Sequence, residues 1–187
     1  MRDEAREKRR DEIEIAAYEI LEQKGFAGLS ILSVAKAAKT SNETIYRWYG
    51  DKTGLFHALI ARNADVIAAE ISDQVDLESL GVTLLATLTG PRAIALNRAA
   101  AADPSGELGR AIAQGGRARI MPQIISAIQT SLPKGDPTEI AEVWISLLIG
   151  DLQVRRTNGS LLPLTHAEHH ARSKRALDLI SRLYGPL

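Results

Sequence analysis

Apolar side chains recur every three or four residues along nearly the whole chain, and no segment alternates convincingly with a period of two. This pattern constrains the fold most, because that spacing puts one stripe of a helix against a core, whereas a half-buried strand needs alternation. The chain reads as all-α, with about nine helices punctuated by glycine and proline. Ile13, Ala16, Ala17, Ile20 and Leu21 mark a first helix from about residue 4 to Gln23, ended by Gly25. Ser30 can cap a second helix that runs out near Lys39, and Thr40, Ser41 or Asn42 can cap a third that reaches about Tyr49 before Gly50. The third is too short to persist alone, since helices below about 12 residues are marginal in water, so Ile45 and Tyr49 must hold it from inside. A long helix follows from Lys52, carrying Leu55, Phe56, Leu59, Ile60, Val66, Ile67 and Ile71. Further helices are predicted at roughly 77–89, 91–102, 106–130, 138–157 and 166–184, with breaks at Gly90, Asp103-Pro104, Pro133 to Pro137 and Asn158 to Pro163.

Composition narrows the function classes. The 187 residues include no cysteine, which removes disulfides, thiolate metal sites and thiol nucleophiles. No run approaches about 18 uncharged apolar residues, so neither a membrane span nor a membrane partner is expected and a cytoplasmic location is. Formal net charge is zero, so any surface for an anionic partner must be local. Between Gln23 and Arg62 the cations Lys24, Lys36, Lys39, Arg47, Lys52 and Arg62 face only Glu43 and Asp51, whereas Asp65, Glu70, Asp73, Asp76 and Glu78 crowd the next segment.

Two short helices at 30–39 and 41–49, joined by a tight turn, have the dimensions of a helix-turn-helix, whose second helix enters a DNA major groove. Tyr46 and Trp48 suit that setting, because each offers bulk together with one polar donor. Lys52 at the next helix start can reach a phosphate, with Lys36, Lys39 and Arg47 nearby. In the first turn, Asn42 suits adenine, Glu43 can accept from cytosine N4 and the Thr44 methyl can touch thymine. Spacing alone leaves a second reading open, in which the rings fill a small core and the lysines are solvated.

The run "ILSVAKAAKTSNETIYRWYGDKTGLFHALI" resembles the DNA-binding domain of the TetR/AcrR family of bacterial transcriptional regulators, particularly at Thr44, Ile45, Tyr46, Tyr49, Lys52 and Leu55. The preceding "AAYEILEQKGFAGLS" is similar to that family's first helix, so the likeness covers about residues 8–62. The resemblance implies a DNA-binding domain over 1–51, with Ser33, Thr40, Ser41, Asn42, Glu43, Thr44, Tyr46, Arg47, Trp48 and Lys52 toward the duplex. It departs from the family at the turn, where Lys39 and Thr40 replace a glycine and an apolar residue, and at Tyr49, which replaces phenylalanine.

"VWISLLIGDLQVRR" and "RALDLISRLYGPL" are similar to the last two helices of AcrR-like members. This implies a ligand-binding and dimerisation domain over 52–187, with an intersubunit four-helix bundle expected to use Trp144, Leu147, Leu148, Gly150, Asp151, Leu177 and Ile180. The resemblance also implies a small-molecule cavity among the central helices, for which Asn97, Arg98, Gln114, Arg119, Trp144 and Gln153 are the candidate lining residues. His166 and His170 stand one turn apart, but "HAEHH" lacks the Glu that H-E-x-x-H requires. No nucleophile elbow or phosphate loop occurs, so no enzyme, cofactor or metal is expected. The expected function is a homodimeric repressor that binds a palindromic operator in double-stranded DNA and is released by a small-molecule effector. The alternative is a helical ligand sensor that does not bind DNA.

Overall fold

The computed structural model describes residues 2–72, 76–132 and 134–185, within which every regular element is helical. The segments are α1 (Arg2–Gly28), α2 (Ile31–Ala37), α3 (Asn42–Tyr49), α4 (Lys52–Ser72), α5 (Leu77–Leu88), α6 (Pro91–Ala101), α7 (Glu107–Ile112), a π turn (Ala113–Arg117), α8 (Ala118–Ser131), α9 (Pro137–Ile149), α10 (Leu152–Thr157) and α11 (His166–Tyr184). α7, the π turn and α8 are contiguous, and only Gly150 and Asp151 part α9 from α10, so the described segments form nine rods, the number the spacing predicts. Asp73 of the acidic segment and Pro133 of the predicted break lie outside the described residues. No single described helix is long and apolar enough to cross a membrane.

Two details differ from the expected boundaries. Gly25 interrupts α1 as expected (φ 63°, ψ −173°), but helical backbone resumes and continues to Gly28. Gly150 does not sit mid-helix; it ends α9 at φ 50° and ψ −126°, a conformation rarely open to other residues. Arg172 donates to the carbonyls of Leu148 and Ile149 there, so a cation satisfies the orphan acceptors of the α9 C-terminus. The apolar period is the same on both sides of the break, which hides it from a periodicity argument.

The buried side chains form two clusters. One gathers Ile13, Ala17, Leu29, Val34, Ile45, Leu55, Phe56 and Leu59 from α1 to α4, joined by Leu96 and Ala99 of α6. The other gathers Ile67, Leu84, Leu85, Ile124, Ile128, Ile140, Trp144, Leu148 and Ile180 from α4, α5, α8, α9 and α11. α4 is shared, giving its first turns to one core and Ile67 and Ile71 to the other. The α5–α11 crossing is close because Gly81 carries no side chain: a Cβ there would lie 2.2 Å from Ser173 Oγ and 3.3 Å from Trp144 Cζ2.

Candidate nucleic-acid interface

α2 starts with a reciprocal capping box, in which Ser30 Oγ accepts from Ser33 N–H and Ser33 Oγ accepts from Ser30 N–H, both at 3.0 Å. Ser33 Oγ also donates to the Ser30 carbonyl at 2.9 Å, so this hydroxyl, expected to face DNA, is committed to the cap. The helix ends in a Schellman turn: Thr40 N–H donates to Ala35 O (2.9 Å) and Lys39 N–H to Lys36 O (3.4 Å). Lys39 takes φ +50° to close it, alone among the described non-glycine residues. Replacement of glycine by lysine thus leaves the turn in glycine geometry rather than reshaping it. Lys39→Gly is expected to raise stability by up to about 1 kcal/mol, the approximate penalty of the left-handed region; thermal unfolding checks this, and an unchanged or lower midpoint would contradict the strained turn.

α3 is held from both ends and from beneath. Ser41 Oγ accepts from Thr44 N–H at 3.1 Å and lies 2.9 Å from Thr44 Oγ1, so these two hydroxyls cap the helix. Ile45 is fully buried. Tyr49 packs inward as expected, its hydroxyl beside Glu14, and burial followed by that neighbouring charge raises its pKa. Opposite this edge, Asn42, Glu43, Tyr46 and Arg47 occupy one exposed stripe at i, i+1, i+4 and i+5, with no hydrogen bond or ion pair among the described side chains. Tyr46 is 55% exposed, unusual for so large a ring.

Two expected contacts sit differently. Trp48 lies on the flank of α3, half-buried against the first core, with the Arg6 guanidinium 5.8 Å from its ring. Its position follows from the helical period, which turns residue 48 about 60° to the side of Ile45 that faces away from Tyr49, and about 160° from Tyr46. Lys52 sits with its ammonium 3.9 Å from the centre of the Phe26 ring, and burial lowers its pKa. Phe26 in turn packs edge-on against Phe56 at 5.4 Å, so Lys52 is anchored where α4 begins.

The N-terminal turns of α1 were not anticipated here, because "MRDEAREKRR" mixes both signs. Folding sorts them. Glu7, Asp11 and Glu14 recur at helical spacing and converge on Arg62 of α4. Glu14 is the buried member, and burial raises its pKa despite the opposing pull of Arg62. Arg6 and Arg9 are left on another side, Arg6 over Trp48 and Arg9 3.5 Å from the Ala38 carbonyl at the α2–α3 turn. The spacing of the acids at 7, 11 and 14 is the signal that could have separated the two faces.

The described geometry has recognisable relatives. Residues 15–59 match the family model described as bacterial regulatory proteins, tetR family. A TetR transcriptional regulator from Agrobacterium tumefaciens is similar in structure at a TM-score of 0.78, with 27% identity and 95% of each chain covered. Residues 15–59 thus carry the TetR-family N-terminal domain, and the whole chain shares the fold of TetR-family regulators. A TetR-family regulator from Mesorhizobium loti MAFF303099 has the same fold, with a TM-score of 0.78, 23% identity, and 95% and 97% of the two chains covered. The HTH-type transcriptional regulator HbdR of Aromatoleum sp. (strain CIB) is 31% identical over 70 residues, a match spanning 37% of this chain and 31% of that protein.

The C-terminal part of the chain contains a cavity of about 340 Å³ walled by α4, α6, the π turn, α8 and α9, with Leu88, Ile112 and Gln153 added from α5, α7 and α10. Of the six candidate lining residues, Asn97 and Gln153 reach it. Arg98 instead donates to the carbonyls of Thr157 (2.9 Å) and Arg156 (3.2 Å), closing the end of α10. Arg119 pairs with Asp65 at 2.6 Å on the surface, Gln114 is exposed, and Trp144 is fully buried beside Gly81, away from the cavity. Asn63 and Ser146 line the cavity and were missed, although Asn63 falls on the inner stripe of α4 between Ile60 and Ile67.

The expected dimer face needs a similar correction. Trp144, Leu148, Leu177 and Ile180 belong to the chain's own core, and only Leu147, Gly150 and Asp151 of the expected seven reach the surface. Gly150 lies under the Arg172 guanidinium. The outer apolar side chains are Leu147, Leu164 and Leu179, along a groove between α9 and α11, with Leu183 exposed further along α11. Both helices are apolar on more than one side, so period alone does not say which side meets its own core.

Proposed function

We propose that this protein is a homodimeric repressor that reads a palindromic DNA operator through α3 and lets go when a small molecule fills the cavity. One observation carries the reading: α3 is capped by Ser41 and pinned by Ile45, yet leaves Asn42, Glu43, Tyr46 and Arg47 unengaged on one stripe. In this reading Asn42 and Glu43, in the first turn, meet base edges, while Tyr46, Arg47 and Lys52 meet phosphates. Arg6 adds a phosphate contact from α1, and Trp48 supports α3 from its flank. The units are 1–51 and 52–187, with α4 common to both. Pairing along the outer side of α9 and α11 would set two copies of α3 about 34 Å apart, one turn of the duplex. Ile60, Asn63, Ala64 and Ile67 of α4 line the cavity, so a ligand acts on the same rod that carries the α3 platform. Effector occupancy would then favour a dimer whose spacing no longer matches the operator.

Selection from a random DNA pool, followed by titration at several salt concentrations, tests this. Arg6→Ala, Arg47→Ala and Lys52→Ala are each expected to weaken binding similarly on all sequences and to reduce the salt slope by about one. Asn42→Ala is expected to cost about 1–3 kcal/mol on the selected site and to relax preference at one base pair. Unchanged affinity and preference in all four variants would remove α3 as the reading helix and leave the ligand-sensing alternative.

A further inference from the structure

The cavity walls carry information about what fits inside. They are aliphatic, built from side chains such as Ile60, Ile67, Leu96, Ile120, Ile124 and Ile149, and no carboxylate or aromatic ring lines them among the described residues. A buried cation would therefore find neither a counter-charge nor a ring face. The cationic lining group, Arg117, has a side chain more than half exposed and lies 3.7 Å from Glu142, so it offers a buried anion little uncompensated charge.

Four uncharged polar side chains line it: Ser146 Oγ donates to Glu142 O at 2.8 Å, Asn63 has no side-chain hydrogen bond among the described residues, and the other two, Asn97 and Gln153, are amides in a defined orientation. Asn97 donates its side-chain N–H to Ala93 O at 2.8 Å, and Gln153 donates its own to Leu88 O at 2.9 Å. Only the NH₂ end of an amide can donate, so these bonds fix which end is oxygen. Oδ1 of Asn97 and Oε1 of Gln153 remain as acceptors without a donor among the described side chains. At an interior packing density of roughly 0.74, about 340 Å³ holds about 250 Å³ of ligand, or roughly a dozen heavy atoms.

We infer that the cavity selects an uncharged ligand of about that size, with an aliphatic or alicyclic body and a hydroxyl or N–H that donates to Asn97 or Gln153. The inference rests on the proposed role of the cavity as an effector site. It narrows that role to a chemical class.

A rigid series with one body and three heads tests it: 1-adamantanol, 1-adamantylammonium and 1-adamantanecarboxylate, titrated calorimetrically into the full-length protein at pH 7. The alcohol is expected to bind at least about tenfold more tightly than either ion, because each ion enters without a partner charge. Asn97→Leu or Gln153→Leu should weaken the alcohol by about three- to tenfold, the effect of one neutral hydrogen bond, while the thermal midpoint confirms folding. An ion that binds as tightly as the alcohol overturns the inference, as does an alcohol that fails to bind up to its solubility limit. Operator binding measured in the same samples separates the two levels. An alcohol that binds without loosening DNA upholds the ligand class and counts against the repressor mechanism, whereas release of DNA by ions alone overturns the class and leaves the mechanism standing.

Discussion

Trp144→Ala is expected to destabilise the protein by about 3–5 kcal/mol, the range for emptying a large aromatic site in a packed core. Trp144 is among the largest fully buried side chains and sits where α5, α9 and α11 meet. Trp144→Phe should cost much less, because the indole N–H is buried without a hydrogen-bond partner and its removal forfeits no bond. Urea unfolding followed by circular dichroism measures both. A second measurement separates a core from an interface: a core substitution leaves the monomer–dimer equilibrium of the folded protein unchanged in sedimentation, whereas a loss at an interface shifts it toward monomer. A Trp144→Ala difference under about 1 kcal/mol would return Trp144 to the partner-facing role expected from the sequence.

Gly81→Val is expected to cost about 3 kcal/mol, at the upper end for overpacked cores. Even a lone Cβ at residue 81 would lie 3.1 Å from the Ser173 Cβ and closer still to its hydroxyl, and valine adds two further methyls to this sealed crossing. Ser173 is fully buried and donates its hydroxyl to the Glu78 carbonyl at 2.8 Å, so it has little freedom to move aside. Ser173→Gly should recover part of the loss. A double-mutant cycle is expected to show coupling of about 1 kcal/mol or more, since the two sites touch. Strict additivity would mean that α5 and α11 do not cross at Gly81.

How much of this was legible in the chain varies by region. The first three helices were readable because their boundaries rest on local chemistry: Ser30 and Ser41 cap through their own hydroxyls, and Gly50 ends α3. The stripe on α3 is partly readable, since Asn42, Glu43, Tyr46 and Arg47 are all among the expected contacts; the second reading, rings filling a small core, holds for Trp48 but not Tyr46, and the Ser33 hydroxyl is taken up by its own cap. In the C-terminal half, Asn97 and Gln153 were identified by polarity within apolar runs. Arg98 and Arg119 satisfied the same criterion yet serve surface bonds to Thr157 and Asp65. A long cation can leave an apolar stripe and reach water or a carbonyl, whereas a short amide stays near its helix.

The all-helical architecture, its nine rods and the family likeness follow from the sequence alone, because periodicity, caps and breakers act within a few residues of one another. The tertiary structure alone decided which side of α9 and α11 faces inward, how the mixed charges of α1 divide between Arg62 and Trp48, and how large a space remains among the central helices. Those outcomes depend on residues far apart in sequence, such as Tyr18 with Leu59, 41 positions away, and Ser173 with Glu78, 95 positions away. Helical period specifies the angle of a side chain about its own axis, but not the neighbour waiting there.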